Sequence, residues 1–289
     1  MFDKVEAFFR PATVPEARRL LERGKGQARI IAGGTDVVVA GGDSIRILID
    51  ITHAGLNYIR RKPPGLIIGA TTTMADLERS EVLHKFAGGI LPRAAATCGS
   101  ASIRNLATVG GNLANASPAA DIATPLLALD ASVVLAEKRG QRALPLAEYL
   151  AGASTGKFRQ SLLVEVTVPE PPRGKHCGWS FQKLGRTAVD ISLVNLAAGL
   201  QLDAKGHVKW VRIALGAVAP TAICIESVAH IMIGQTLDAA LIAEAAREVA
   251  RAVSPISDVR ASAEYRREMS AVLTTRALEE CRAQAGGAL

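Results

Sequence analysis

Cysteine, aromatic residues and long apolar runs are all scarce in this 289-residue sequence, and each scarcity narrows what the protein can be. The four cysteines, Cys98, Cys177, Cys224 and Cys281, are far apart, with no CxxC pair and no histidine at metal-ligand spacing. A metal or iron–sulfur cluster held by this chain alone is therefore not expected. No stretch approaches the roughly 18 continuous apolar residues of a membrane span. Met1 to Glu6 lack the apolar core of a signal peptide, so the chain is expected to be soluble and cytoplasmic, with free thiols. The five histidines, His53, His84, His176, His207 and His230, sit in no triad or metal motif, so no catalytic residue and no metal ligand is assigned. Charge of one sign is not concentrated either. The net charge is +7, but the densest basic clusters are Arg60-Arg61-Lys62 and Arg266-Arg267. Such short clusters read as solvated faces, not as a nucleic-acid footprint.

What is present is a large apolar fraction, 49%, with only 4% aromatics, so the core is built from Ala, Val, Ile and Leu. The length suits one large domain or two smaller ones. Thr13 and Glu16 predict a capped helix ending near Gly24. Strands are predicted at Arg29–Ala32, Ile45–Ile51 and Leu66–Ala70, and a second capping box at Thr73 and Asp76. Residues 84–97 read as helical, and the Gly-, Ser- and Asn-rich stretch to about 117 reads as loop. Pro118 and Asp121 are placed in the first turn of a following helix. Strands follow at Val133–Ala136 and Leu162–Val168. In the latter, Leu162, Val164, Val166 and Val168 share one face and Leu163, Glu165 and Thr167 the other. Pro169 to Gly174 form a linker. Beyond it come strands near 178–184, 193–202 and 208–217, then helices near 237–253 and 259–284. Strands before helices argue for an α+β fold.

Two glycine segments carry the chemistry. Ile30-Ile31-Ala32-Gly33-Gly34-Thr35-Asp36 delivers a strand to two glycines, a hydroxyl and a carboxylate. Thr108-Val109-Gly110-Gly111-Asn112 leads through Ser117 to Asp121. Paired glycines permit positive φ and let backbone N–H groups converge on an anion, as a diphosphate requires. The hydroxyls of Thr35, Thr108 and Ser117 could add donors. Each pair taken alone reads equally as a tight turn. Neither matches GxGxxG or GxxxxGK[ST], so a dinucleotide bound here uses an architecture other than the doubly wound sheet.

AGGTD at 32–36 and SASIRNLATVGGNLANASPAAD at 100–121 together resemble the FAD-binding medium subunits of the xanthine dehydrogenase and carbon monoxide dehydrogenase family. Met1-Phe2-Asp3 with Arg10-Pro11-Ala12-Thr13, Phe181 to Arg186 with Asp190-Ile191-Ser192, and Arg260 to Arg266 extend the resemblance over essentially the whole chain. It implies a vanillyl-alcohol-oxidase-like (PCMH-type) FAD-binding domain of two subdomains over residues 1–172. A C-terminal domain of antiparallel sheet and helices over 173–289 follows. By the same resemblance, Arg29, Ile30, Ile31, Ala32, Gly33, Gly34, Thr35, Asp36 and Val37 line the FAD. Thr108, Gly110, Gly111 and Asn112 form the second phosphate loop, joined by Ile103 and Ser117. Asp121 bonds the ribose side; as a residue alone it also reads as a helix N-terminal carboxylate. Leu163 packs near the adenosine or flavin, its outward phase being equally that of a surface leucine. Lys183 is the cation beside the flavin, where it would favour the anionic reduced ring; Gln182 is the neighbouring candidate. Arg104 is left as structural or a partner contact.

The resemblance further implies a heteromeric oxidoreductase, a dimer of heterotrimers. A large subunit carries the molybdenum cofactor and a small subunit two [2Fe-2S] clusters. Electrons reach FAD on this chain and leave to NAD, a quinone or another acceptor. The four-iron-cluster insertion of some members is absent from the sequence. The alternatives are a standalone FAD-dependent oxidase of the same fold, for which no substrate base or flavin tether is found, and a non-enzymatic adaptor without FAD, against which the intact glycine loops argue.

Overall fold

The computed structural model describes residues 4–286, so the Met1-Phe2-Asp3 part of the resemblance lies outside the described residues. Three sheets organise the chain. The first is a small parallel sheet from β1 (Ala7–Phe9), β2 (Ala28–Ile31) and β3 (Ile47–Asp50), with β3 in the middle. Helix α1 (Val14–Arg23) covers it through buried Ala17 and Leu21. Thr13 Oγ1 caps α1 by accepting from the Glu16 N–H at 3.3 Å. Glu16 closes back on the N–H of Ala12, one residue before the position a capping box would use. Beyond β2 comes a single turn, α2 (Val37–Ala40), with no buried residue.

The second sheet is antiparallel. Its strands are β4 (Ile59–Lys62), β5 (Gly65–Gly69), β6 (Ser132–Glu137), β7 (Gly140–Pro145) and β8 (Leu162–Pro169), in the order β4-β5-β8-β6-β7. Between β5 and β6 lie short helices: α3 (Met74–Arg79), α4 (Glu81–His84), α5 (Ile90–Ala96), α6 (Ala101–Arg104), α7 (Val109–Asn115) and α8 (Ala123–Ala128). Helix α9 (Leu146–Ser154) follows β7. Arg18 of α1 donates to the carbonyl of Gln160 at 3.0 Å, tying the first sheet's helix to this layer.

The box that opens α3 is complete. Thr73 Oγ1 accepts from the Asp76 N–H at 3.0 Å, and the Asp76 carboxylate accepts from the Thr73 N–H at 3.1 Å. Thr73→Ala is expected to lower stability by about 1 kcal/mol in urea unfolding, since it removes an orphan donor's partner.

The third sheet, also antiparallel, runs β12-β11-β10-β9 from β9 (Cys177–Leu184), β10 (Val194–Leu202), β11 (Val208–Gly216) and β12 (Ile223–Cys224). Helices α10 (Ser227–Met232), α11 (Ala239–Ala252) and α12 (Ala263–Gln284) pack on one face. Helix α8 packs on the other, so β10 is buried on both sides. Its alternation shows this directly. Val194, Leu196, Ala198 and Leu200 enter the core shared with α11 and α12, while Ala197 faces the core of the N-terminal half.

Three expectations are corrected. The stretch 99–117 is not loop throughout, because Ser100 and Thr108 act as N-caps for α6 and α7. Asp121 and Pro118 do not sit in a helical first turn: α8 begins at Ala123, after Ile122. Leu163 does not point outward. The β6–β8 register shifts between Val134 and Leu135, so Leu162, Leu163 and Val164 are all buried. A bulge of this kind breaks the two-residue alternation on which the expectation rested. The elements β1, β4, β7, β12, α9 and α10 had no counterpart in the sequence reading.

Candidate functional site

The first glycine loop leaves the C-terminal end of β2, in a parallel sheet whose strand ends commonly face ligands. Gly34 takes φ +72°, a left-handed conformation suited to glycine. Across the turn, the backbone N–H groups of Gly33, Gly34, Thr35, Asp36 and Val37 have no acceptor among the described residues. Backbone donors in sequence without acceptors form a cradle for an anion.

The second loop meets the first at close range. A Cβ on Gly33 would stand 1.7 Å from the carbonyl oxygen of Leu106, so only glycine permits the approach. Asn115 Nδ2 donates to Asp36 Oδ1 at 3.0 Å and clips the loops together. The second loop is itself moored to the five-stranded layer. Val109 N–H donates to Thr72 O at 2.9 Å and Gly110 N–H to Ala70 O at 2.8 Å. Gly111 N–H donates to Thr108 Oγ1 at 3.1 Å and Asn112 N–H to Thr108 O at 2.9 Å.

This differs from the expectation of two equivalent positive-φ nests. Gly110 and Gly111 have no left-handed φ, and their N–H groups are already engaged. Gly110 is required for a different reason: a Cβ there would lie 2.7 Å from Ala70 O. What this segment can offer a ligand is side chains. Asn112 Oδ1 is buried without a hydrogen-bond partner among the described residues, and the Thr108 hydroxyl has its own proton left to donate. Ser117 Oγ accepts from the Ala119 N–H at 3.3 Å. Ile103 and Leu106 are exposed apolar side chains beside the loops, as are Val38 and Val39.

The third component is a buried ion pair. Lys183 Nζ lies 2.7 Å from Asp121 Oδ2, with both side chains under 10% exposed. Lys183 also donates to Thr97 O at 2.8 Å, so one of its three N–H groups remains without an acceptor among the described residues. Asp121 Oδ1 accepts from Ser192 Oγ at 2.5 Å and Asn195 Nδ2 at 2.9 Å. The carboxylate therefore answers to the third sheet, not to the N-terminus of α8. Cys98 lies near both regions. Burial, seconded by the charge of Asp121, pushes its thiol up to about 11, while Lys183, Asp36 and Arg104 also act on it. Cys98 is thus a neutral thiol at neutral pH.

The remaining predicted residues separate. Arg29 is exposed on β2, with Ile30, Ile31 and Ala32 half-buried along the strand and its exit. Leu163 lies within the core. Arg104 is held within the chain, with Nε 2.8 Å from Glu78 Oε2 and a second bond to Gly99 O. Gln182 turns to Glu280 at 2.9 Å, so of the two neighbours Lys183 is the one beside Asp121. Sequence reasoning gave no role to Asn115, Ser192 or Asn195. The signal for Asn195 is an amide set inside the apolar run Leu193-Val194-Asn195-Leu196-Ala197.

An acceptor-free run of N–H groups, an unpartnered buried amide oxygen and a lysine with a spare donor fit a phosphorylated cofactor bearing an electron-accepting ring. The family comparison agrees. Residues 2–171 match the FAD binding domain in molybdopterin dehydrogenase, and residues 179–281 the CO dehydrogenase flavoprotein C-terminal domain. The chain belongs to the FAD-binding subunit family of the molybdopterin dehydrogenases. Its cofactor is FAD, and it is an FAD-binding medium subunit of the oxidoreductase complexes typified by xanthine and carbon monoxide dehydrogenases. It is 34% identical over 271 residues to the 6-hydroxypseudooxynicotine dehydrogenase complex subunit alpha of Paenarthrobacter nicotinovorans, covering 92% of this chain and 90% of that protein. It is 32% identical to the xanthine dehydrogenase FAD-binding subunit of Escherichia coli O157:H7, covering 100% of both. Reconstituted CO dehydrogenase from Oligotropha carboxidovorans superposes with a TM-score of 0.92 at 28% identity, covering 98% of this chain and 100% of that one. Among the described residues, no helix is long and apolar enough to cross a membrane.

Proposed function

We propose that this chain is the electron-relay subunit of a heteromeric molybdenum hydroxylase. It takes electrons from the two [2Fe-2S] clusters of a small partner subunit and passes them to NAD, a quinone or another acceptor. A large partner subunit holds the molybdenum cofactor and hydroxylates the substrate. The assembly is a cytoplasmic dimer of such heterotrimers. The domain boundary falls at 172/173, in the segment after β8. The observation that carries the reading is the acceptor-free N–H run at Gly33–Val37, closed against the second glycine segment.

FAD, when bound, supplies the redox chemistry, since a flavin exchanges single electrons with clusters and a hydride with a two-electron acceptor. The chain's own work is to bind and orient. Gly33, Gly34, Thr35, Asp36 and Val37 would donate backbone N–H groups to the diphosphate. Thr108 and Asn112 would add side-chain contacts, with Gly110 and Gly111 keeping that wall free of bulk. Arg29 to Ala32, Ile103 and Ser117 would complete the lining. Asp121 would hold the ribityl or ribose hydroxyls from the side of its pair with Lys183. The Lys183 ammonium would place a fixed positive charge beside the ring.

Purification of the natural complex tests this. The expected result is a yellow protein that releases FAD on denaturation and carries two partner subunits containing molybdenum and iron. A colourless protein, or a single chain reduced directly by an alcohol or sugar, would overturn it. The second outcome would favour a standalone oxidase.

A further inference from the structure

Lys183 of β9, Asn195 of β10 and Gly216 of β11 are direct cross-strand partners. They form one row across three strands, on the face turned to the N-terminal half. Asn195 is fully buried, and both ends of its amide are engaged. Nδ2 donates to Asp121 Oδ1 at 2.9 Å, and Oδ1 accepts from Thr124 Oγ1 at 2.5 Å. The orientation is fixed chemically, because only the NH₂ end can face a carboxylate that already accepts from Ser192. The row is built around this amide. A Cβ on Gly216 would stand 2.4 Å from Asn195 Oδ1. The next residue, Ala217, takes φ +64° and donates its N–H to Pro118 O at 2.6 Å. Buried Arg266 holds that bend by donating to Ala217 O at 3.2 Å and Leu193 O at 2.8 Å.

We propose that Asn195, assisted by Ser192, is a positioning residue of the flavin site: the C-terminal sheet fixes Asp121, and through it the ammonium of Lys183. The inference rests on the reading that Asp121 and Lys183 border the FAD. The two oxygens of Asp121 have different protein partners. With Oδ1 held by Ser192 and Asn195, Oδ2 is left at one angle for Lys183. Without those donors the carboxylate can rotate, and the ammonium follows it. The FAD-binding half thus lacks the Lys183 cation unless the third sheet packs on residues 117–124. Neither half contains the arrangement alone, since Asp121 and Thr124 come from one and Lys183, Ser192 and Asn195 from the other.

The test uses the FAD-loaded complex with Asn195→Ala, Ser192→Ala and Lys183→Met. The readouts are the flavin midpoint potential, by redox titration, and FAD retention, by flavin fluorescence on dilution. Lys183→Met is expected to lower the potential. Asn195→Ala and Ser192→Ala are expected to shift it the same way by a smaller amount and to loosen FAD about tenfold, as loss of a hydrogen bond to a charged group does. Ser192 lies outside the strands, so its variant carries the test should Asn195→Ala fail to fold. If Lys183→Met shifts the potential while both other variants match the natural protein, the positioning role is overturned and the site reading stands. If the potential is unchanged in all three with FAD bound, Lys183 does not face the flavin, and both fall.

Discussion

Gly33→Ala is expected to yield a folded but colourless protein, with FAD affinity reduced about a hundredfold. The methyl group would enter the space of the Leu106 carbonyl, 1.7 Å away. Backbone cannot yield as a side-chain tip can, so the two loops must separate, and overpacking of this kind costs about 1–3 kcal/mol or more. Separation also breaks the Asn115–Asp36 clip and misaligns the N–H groups of Gly33 to Val37. The neighbouring glycines give a graded control. A Cβ on Gly110 would stand 2.7 Å from Ala70 O, whereas on Gly111 the nearest atom is Thr108 Oγ1 at 3.0 Å. Affinity, measured by flavin fluorescence quenching, should therefore fall in the order Gly33→Ala most, Gly110→Ala less, Gly111→Ala least. Equal effects at all three, or full flavin content in Gly33→Ala, would contradict the loop contact as described.

The second large effect concerns stability. Asp121→Ala is expected to cost about 3–5 kcal/mol in urea unfolding, because it strands the Lys183 ammonium among buried groups. The hydroxyl of Ser192 and the amide of Asn195 lose their acceptor in the same step. Asp121→Ala combined with Lys183→Met should recover much of that loss, since removing both charges ends the desolvation penalty. A double variant no more stable than Asp121→Ala would mean that the hydrogen bonds, not the charge pair, dominate. The two residues belong to different halves of the chain, so the transition of both halves should shift together.

The sequence was most legible where local rules act alone. The caps at Thr13 and Thr73, the strands β2, β3, β5 and β8, and the long helices α11 and α12 all follow from capping chemistry and periodicity. It was least legible where tertiary contact decides. Nothing local marks the bulge that turns Leu163 inward, because it arises from the pairing of β6 with β8. The two glycine pairs look alike as text, yet one offers N–H groups and the other excludes side-chain bulk. The difference lies in what each packs against, Leu106 or Ala70. Asp121 shows the same limit. Its position before α8 is local information, but its partners Lys183, Ser192 and Asn195 are more than sixty residues away. The resemblance identified Asp121 and Lys183 separately; their pairing is visible only in three dimensions.

The double burial of β10 bears on how such a protein can be divided or recombined. The segment after β8 reads as a natural seam, yet the sheet beyond it is a party wall, finished on both sides and serving two rooms. Along β10, large aliphatic side chains meet α11 and α12, while Ala197 and Gly199 turn toward the FAD-binding half. Trp179 and Trp210 fill the space above Gly199, where a Cβ would lie 2.3 Å from the Trp179 ring. A C-terminal half taken from a relative would bring its own relief of small and large residues to that wall. Its fit would be judged against the surface of α8 and the Pro118–Thr124 segment, not against the sequence of the linker. The modular unit for exchange is therefore the wall with both of its coverings, although family models divide the chain at the seam.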